Sequence, residues 1–227
     1  MRYGFSLLTI LLLLIGVSPT FAAGDSAPSD DTEPTAGTQV KSKHALTPAE
    51  KAEKEARKAC KIEICDILAT KEPQGPGVAC DIGWTWRAEE LVDALDGRID
   101  WPWGNAVCQS KMRLKRAPLA NAMSTPRAAI EVDPQTVRCA LHQKGGKPYV
   151  VTIDLTPRVT FKNGKATGAQ VHWGDVSAPA AIYPLLYAAT GLDNSTNVLG
   201  PEVVRQINKF IRKDCAKVKD DLPSNQP

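Results

Sequence analysis

From about Ala106 to Gly174, apolar side chains recur at every second position. Cys108, Met112 and Leu114 alternate with Gln109, Lys111, Arg113 and Lys115; Val137, Cys139 and Leu141 alternate with Arg138 and His142. Ile130 and Val132 make a shorter piece. Tyr149, Val151, Ile153 and Leu155, then Val159 and Phe161, then Ala169, Val171 and Trp173 continue the alternation. A period of two puts alternate side chains on opposite faces of a strand. Asp133-Pro134, Gly145-Gly146 and Asn163-Gly164 stand between the runs, and such pairs suit tight turns. The pattern predicts an antiparallel β-meander of about five to six strands, apolar on the face that helices cover and polar on the other.

Helical spacing brackets this region. Thr47-Pro48-Ala49-Glu50 has a hydroxyl to cap the helix start, a proline for its first turn and a glutamate to reach back to the cap. Ala52, Ala56, Cys60, Ile64, Ile67 and Leu68 follow on one stripe. Because its first turns offer only alanine, packing is expected to begin near Cys60. Glu72 to Gly77 alternates proline and glycine too closely for regular structure. A second helix is expected from Trp84 through Ala88, Leu91, Val92 and Leu95, ending at Gly97. Ala180 to Leu192 carries no charge and reads as a helix kinked or shortened at Pro184 and ending at Gly191. A last helix starts at Pro201, with Val203, Val204, Ile207, Phe210, Ile211 and Cys215 on one side. Helices before and after a run of strands define an α+β domain.

The ends of the chain read differently. Arg2, the apolar run Phe5 to Val17, and the small residues around Ala22 and Ala23 have the order of a cleavable secretory signal. The run is short of the roughly 20 residues of a comfortable membrane span. Residues 1–22 are therefore expected to be a signal peptide, 23–46 a disordered leader, 47–219 a single domain and 220–227 a disordered tail. The expected location is periplasmic or secreted, with no stable membrane span once the signal is cleaved.

All six cysteines, Cys60, Cys65, Cys80, Cys108, Cys139 and Cys215, fall in the exported part, where an even number points to disulfides. Cys108 and Cys139 share the apolar face and can pair with each other or with a helix, and a bridge from Cys215 to the sheet or the first helix would constrain the unfolded chain most. The histidines are scattered and there is no CxxC pair, so neither a metal site nor a cofactor is expected. A net charge of +3, lowered by one when Arg2 leaves with the signal, is too balanced to point to nucleic acid.

Candidate binding residues lie on the polar sheet face, where Lys111, Arg113, Lys115, Arg138, His142, Lys162 and His172 project together, and in the Trp101-Pro102-Trp103-Gly104 turn. Exposed indoles stack on ligands or anchor interfaces, whereas buried ones fill a core. No nucleophile elbow or catalytic set is present. The expectation is a non-enzymatic exported binding module for an anionic envelope component or an acidic protein partner. Its alternatives are an envelope hydrolase or transferase using His142 and His172, and a carrier of a small apolar ligand held near Ile182 to Tyr187.

Overall fold

The alternating stretches form strands in a computed structural model that describes residues 45–95, 101–143, 145–180 and 182–223. The expected signal, most of the expected leader, Gly97 and residues 224–227 lie outside the described residues. Helix α1 spans Pro48–Thr70, strand β1 Val78–Trp86, α2 Ala88–Leu95, β2 Ala106–Leu114 and α3 Arg116–Ser124. Strands β3 (Arg127–Glu131), β4 (Gln135–Leu141), β5 (Tyr149–Lys162) and β6 (Lys165–Ser177) follow. Helices α4 (Tyr183–Thr196) and α5 (Gly200–Lys209) close the fold, α5 continuing through a π-helical turn, Phe210–Asp214, and a 3-10 segment, Ala216–Asp221.

The six strands make one antiparallel sheet, so the molecule is α+β. Its order is β1-β2-β4-β5, with β6 along the far side of β5 and β3 beside β4 on the near side. Strand β5 is 14 residues long and β4 only 7, which leaves half of that edge for β3. Pro157 sits where one partner gives way to the other: β4 stops at Leu155 and β3 begins at Arg158. The Pro157 carbonyl accepts from Val132 N at 2.9 Å on this side, so the missing N–H falls in the gap and the strand continues through the proline. Asn163 and Gly164, with φ of 50° and 74°, form the tight turn between β5 and β6.

Residues 78–86 correct the expected second helix. Val78, Cys80, Ile82 and Trp86 are buried at period two, and the segment pairs with the whole of β2 from Val78↔Leu114 to Trp86↔Ala106. Trp84 and Ala88 are helically spaced, but backbone pairing with β2 decides the conformation as far as Trp86. The helix starts only after Arg87, whose N–H donates to Glu90 Oε2 at 3.2 Å. Helix α3, which no sequence pattern singles out, has no side-chain cap and exists by burying Leu119, Ala120 and Ala122. Pro184 falls in the first turn of α4, and that helix runs past Gly191 to end at Asn197, whose φ is 50°. At the carboxyl end Asp221 pairs with Lys58 at 3.0 Å and Leu222 is 4% exposed, so the folded part reaches beyond residue 219.

Side chains engage outward backbone groups on two outer strands of the sheet, β6 and β1. At β6, Asn194 accepts from Trp173 N at 2.8 Å and donates to Trp173 O at 2.9 Å. Asn208 does the same for Ala166 at 3.0 and 2.9 Å, and Asn197 donates to Ala169 O at 2.9 Å. A primary amide carries one acceptor and a donor in the layout of a peptide group, so each asparagine stands in for a residue of a neighbouring strand. At β1 the partners are charged: Glu53 Oε2 accepts from Thr85 N at 2.9 Å, and Arg57 donates to Gly83 O. Arg57 also lies 3.9 Å over the Trp84 ring. Ala52 and Ala56 are exposed, yet the start of α1 is held against the sheet by polar contacts that hydrophobic spacing does not reveal. The expected capping box is present, with Glu50 N donating to Thr47 Oγ1 at 3.2 Å and Thr47 N to Glu50 Oε2 at 2.6 Å.

Three disulfides fasten these layers. Cys60–Cys80 ties α1 to β1, Cys65–Cys215 ties α1 to the carboxyl-terminal helical segment, and Cys108–Cys139 joins directly opposed residues of β2 and β4. Cys65 is 1% exposed.

Loop length ranks their contributions. Separations of 150, 31 and 20 residues give about 5, 4 and 3 kcal/mol by unfolded-chain entropy, so paired Cys→Ala changes at Cys65/Cys215 are expected to lower stability most in urea titrations. Asn194→Ala removes two bonds from the β6 edge and is expected to cost about 1–2 kcal/mol in the same assay. The Arg87 guanidinium, and then the Thr47 backbone N–H, hold the Glu50 carboxyl down from an ordinary 4.5 to about 2. A depressed carboxylate stabilises the fold above its ordinary value and loses that contribution as pH falls towards its folded value. Glu50→Gln should therefore flatten the fall in stability between about pH 4.5 and 2, followed by acid unfolding monitored with circular dichroism.

Candidate functional site

Alternation in the strands leaves one sheet face uncovered. Asp81 of β1, Gln109, Lys111 and Arg113 of β2, Thr136 and Arg138 of β4, Thr156, Arg158, Thr160 and Lys162 of β5, and Gln170 and His172 of β6 are all exposed on it. On the opposite face α1 and α3–α5 pack over the buried set, which includes Val137, Val151, Leu155, Val159 and Phe161.

Register sorts the expected candidates into two groups. Lys111 stands directly across from Asp81, and Arg113 Nη1 lies 3.7 Å from the same carboxylate. Lys115, just beyond β2, makes a 2.9 Å ion pair with Asp133. At the other end of β2, Trp101, Trp103 and His142 form a corner. Gly104 N donates to His142 O at 2.8 Å, Trp101 Nε1 donates to Gly104 O at 2.9 Å, and the two indoles meet edge to face at 4.8 Å. Both tryptophans are half-buried against the core, so they brace this corner as much as they present a surface. From Asn105 to Arg113 the chain is extended, which separates the groups by roughly 25 Å. Arg138 lies between them, across from Gln109 and Thr152.

The two histidines are also kept apart. His142 follows Leu141, the partner of Tyr149, while His172 is opposite Thr156, so they are roughly 25 Å apart along β5. Ser110 lies on the inner face between Ile82 and Val137. Tyr183 and Tyr187 stack at 5.8 Å on the outside of α4, Tyr187 being 64% exposed, while Ile182 is buried. Asn194, which opens a sequon-like Asn-Ser-Thr, is engaged by the β6 edge.

A further set of cations meets at the β5–β6 hairpin. Lys162 is directly across from Lys165 on one side and from Arg127 on the other, and all three are exposed. None has a carboxylate within ion-pair distance among the described residues, whereas Arg158, four residues back along β5, lies 3.4 Å from Glu131. The Asn163-Gly164 turn already implies that Lys162 faces Lys165. Arg127 joins them through the β3–β5 pairing, which has no local signal. Beside the row lies an open depression of about 440 Å³ lined by Ala129, Thr160 and Thr167 among others.

The chain matches no protein-family model, no curated protein and no solved structure. Among the described residues no helix is long and apolar enough to cross a membrane, and no cluster of His, Cys, Asp or Glu could hold a metal ion.

Proposed function

We propose that the chain is an exported binding module, periplasmic or secreted, which takes an anionic ligand on the uncovered face of its sheet. The observation that carries this reading is the exposed face itself. Cations outnumber carboxylates on it, and its floor is a rigid antiparallel sheet braced from behind by disulfide-linked helices. Rigid elements present charge with little ordering cost on binding. Export is supported by the amino-terminal signal pattern and by the three disulfides, which persist in oxidising compartments.

The protein recovered outside the cytoplasm is expected to begin at Ala23 or Gly24, and its retention on an immobilised phosphate matrix tests the face. Replacing Lys111, Arg113, Arg138 and Lys162 with Gln is expected to bring elution to clearly lower salt. Replacing the same number of helix lysines, Lys51, Lys54, Lys58 and Lys61, is expected to change it little. Equal shifts for both sets would mean that net charge alone is responsible and that the sheet face is not a binding surface.

A further inference from the structure

Like charges placed directly opposite each other on a sheet are destabilising, whereas opposite charges across a strand pair are favourable. In this protein Arg113 lies beside Asp81, Lys115 beside Asp133 and Arg158 beside Glu131. The row Arg127, Lys162, Lys165 has no such partner among the described residues. Its members occupy three adjacent strands at spacings of about 5 Å and project from the same face without a carboxylate among the described residues. The hairpin carrying two of them is not loose: Asn163 N donates to Pro126 O at 3.1 Å, which ties its tip to the start of β3 and keeps the third cation in line. Beside the row the sheet surface dips where β3 carries the small Ala129, across from Thr160. On β6, Gly168 lies against Thr160: a Cβ there would be 2.7 Å from Thr160 Oγ1, so the threonine hydroxyl occupies that space. Thr160 and Thr167 hydroxyls make only long bonds here, 3.3 and 3.4 Å, to backbone carbonyls and can turn to a ligand.

We infer that Arg127, Lys162 and Lys165 form a binding site for a phosphate group, with the depression over Ala129 and Thr160 receiving the part to which that phosphate is attached. The inference rests on the binding-module reading above and places its site at the hairpin rather than at Lys111 and Arg113, whose charge is already shared with Asp81. A phosphate monoester carries close to two negative charges near neutral pH and several acceptor oxygens, enough for an arginine fork and two ammonium groups at once. A single carboxylate would compensate only one of the three cations, whereas a phosphate compensates close to two. The source is a free phosphorylated molecule or a lipid headgroup at a bilayer surface, since the row is exposed to either.

Inorganic phosphate is titrated against the protein recovered outside the cytoplasm, with chloride at matched ionic strength as reference, and backbone amide shifts are followed by NMR. The expected result is a saturable, phosphate-specific response confined to Arg127–Ala129 and residues 160–168. It is expected to weaken at least tenfold in K162Q/K165Q and to persist in K111Q/R113Q. Cosedimentation with phosphatidic acid vesicles, against phosphatidylcholine vesicles, then separates the sources. Binding lost in K162Q/K165Q assigns the site to a headgroup, and absence of vesicle binding beside a phosphate response assigns it to a free ligand. A response no larger than that to chloride, or one indifferent to K162Q/K165Q, overturns the site. If matrix retention still depends on Lys111, Arg113 and Arg138 in that case, the binding-module reading stands and only this location is lost; if it does not, both fall.

Discussion

The outward N–H and C=O groups of an outer strand need partners, and on β6 and β1 side chains from the helical layer supply several of them. Asn194, Asn197 and Asn208 serve β6, while Glu53 and Arg57 serve β1. Unsatisfied edges invite pairing with other chains. Because all of these partners come from the helices that cover the buried face, closing the edges also fixes where those helices sit. The opposite face needs nothing from them and remains open. A division into a braced layer and a free surface thus follows from how backbone hydrogen bonds are completed.

The disulfides reinforce the same arrangement from inside. Helix α1 carries two cysteines five residues apart, which point in different directions around the helix; Cys60 reaches β1 and Cys65 reaches Cys215 after the π-helical turn. One helix therefore holds the first strand and the last helical segment, and the polar contacts of Glu50, Glu53 and Arg57 extend its grip to the end of β1. Cys108–Cys139 lies within the sheet and fixes the register of β2 against β4, on which the placement of Arg138 opposite Gln109 depends.

Charge on the free face is shaped by register more than by composition. Lys111, Arg113 and Lys115 form a basic run in the sequence, but the structure sets acids from β1 and from the turn before β4 beside them. Arg127, Lys162 and Lys165 look unremarkable when separated along the chain, yet strand pairing places them shoulder to shoulder with no acid in reach among the described residues. Electrostatic sites on sheets are properties of neighbouring strands, so a basic stretch in one strand is a poor guide to where an anion is held.

What the sequence by itself determined are the features written within a few residues. The capping box of α1, the Asn163-Gly164 turn with Lys162 facing Lys165, the two faces of β2, β4, β5 and β6, and the need for disulfides were all legible, because each depends on local backbone geometry or on side-chain period. Only the tertiary structure decided the rest. Residues 78–86 became a strand because β2 offered a long partner, and α3 became a helix because it had a place to bury three side chains. β5 ran through Pro157 because the missing N–H met a gap between two partners. The pairing of six cysteines, the asparagines that complete β6 and the arrival of Arg127 beside Lys162 join residues far apart in the chain. Their free energy appears only when those residues are brought together, so no local pattern records it.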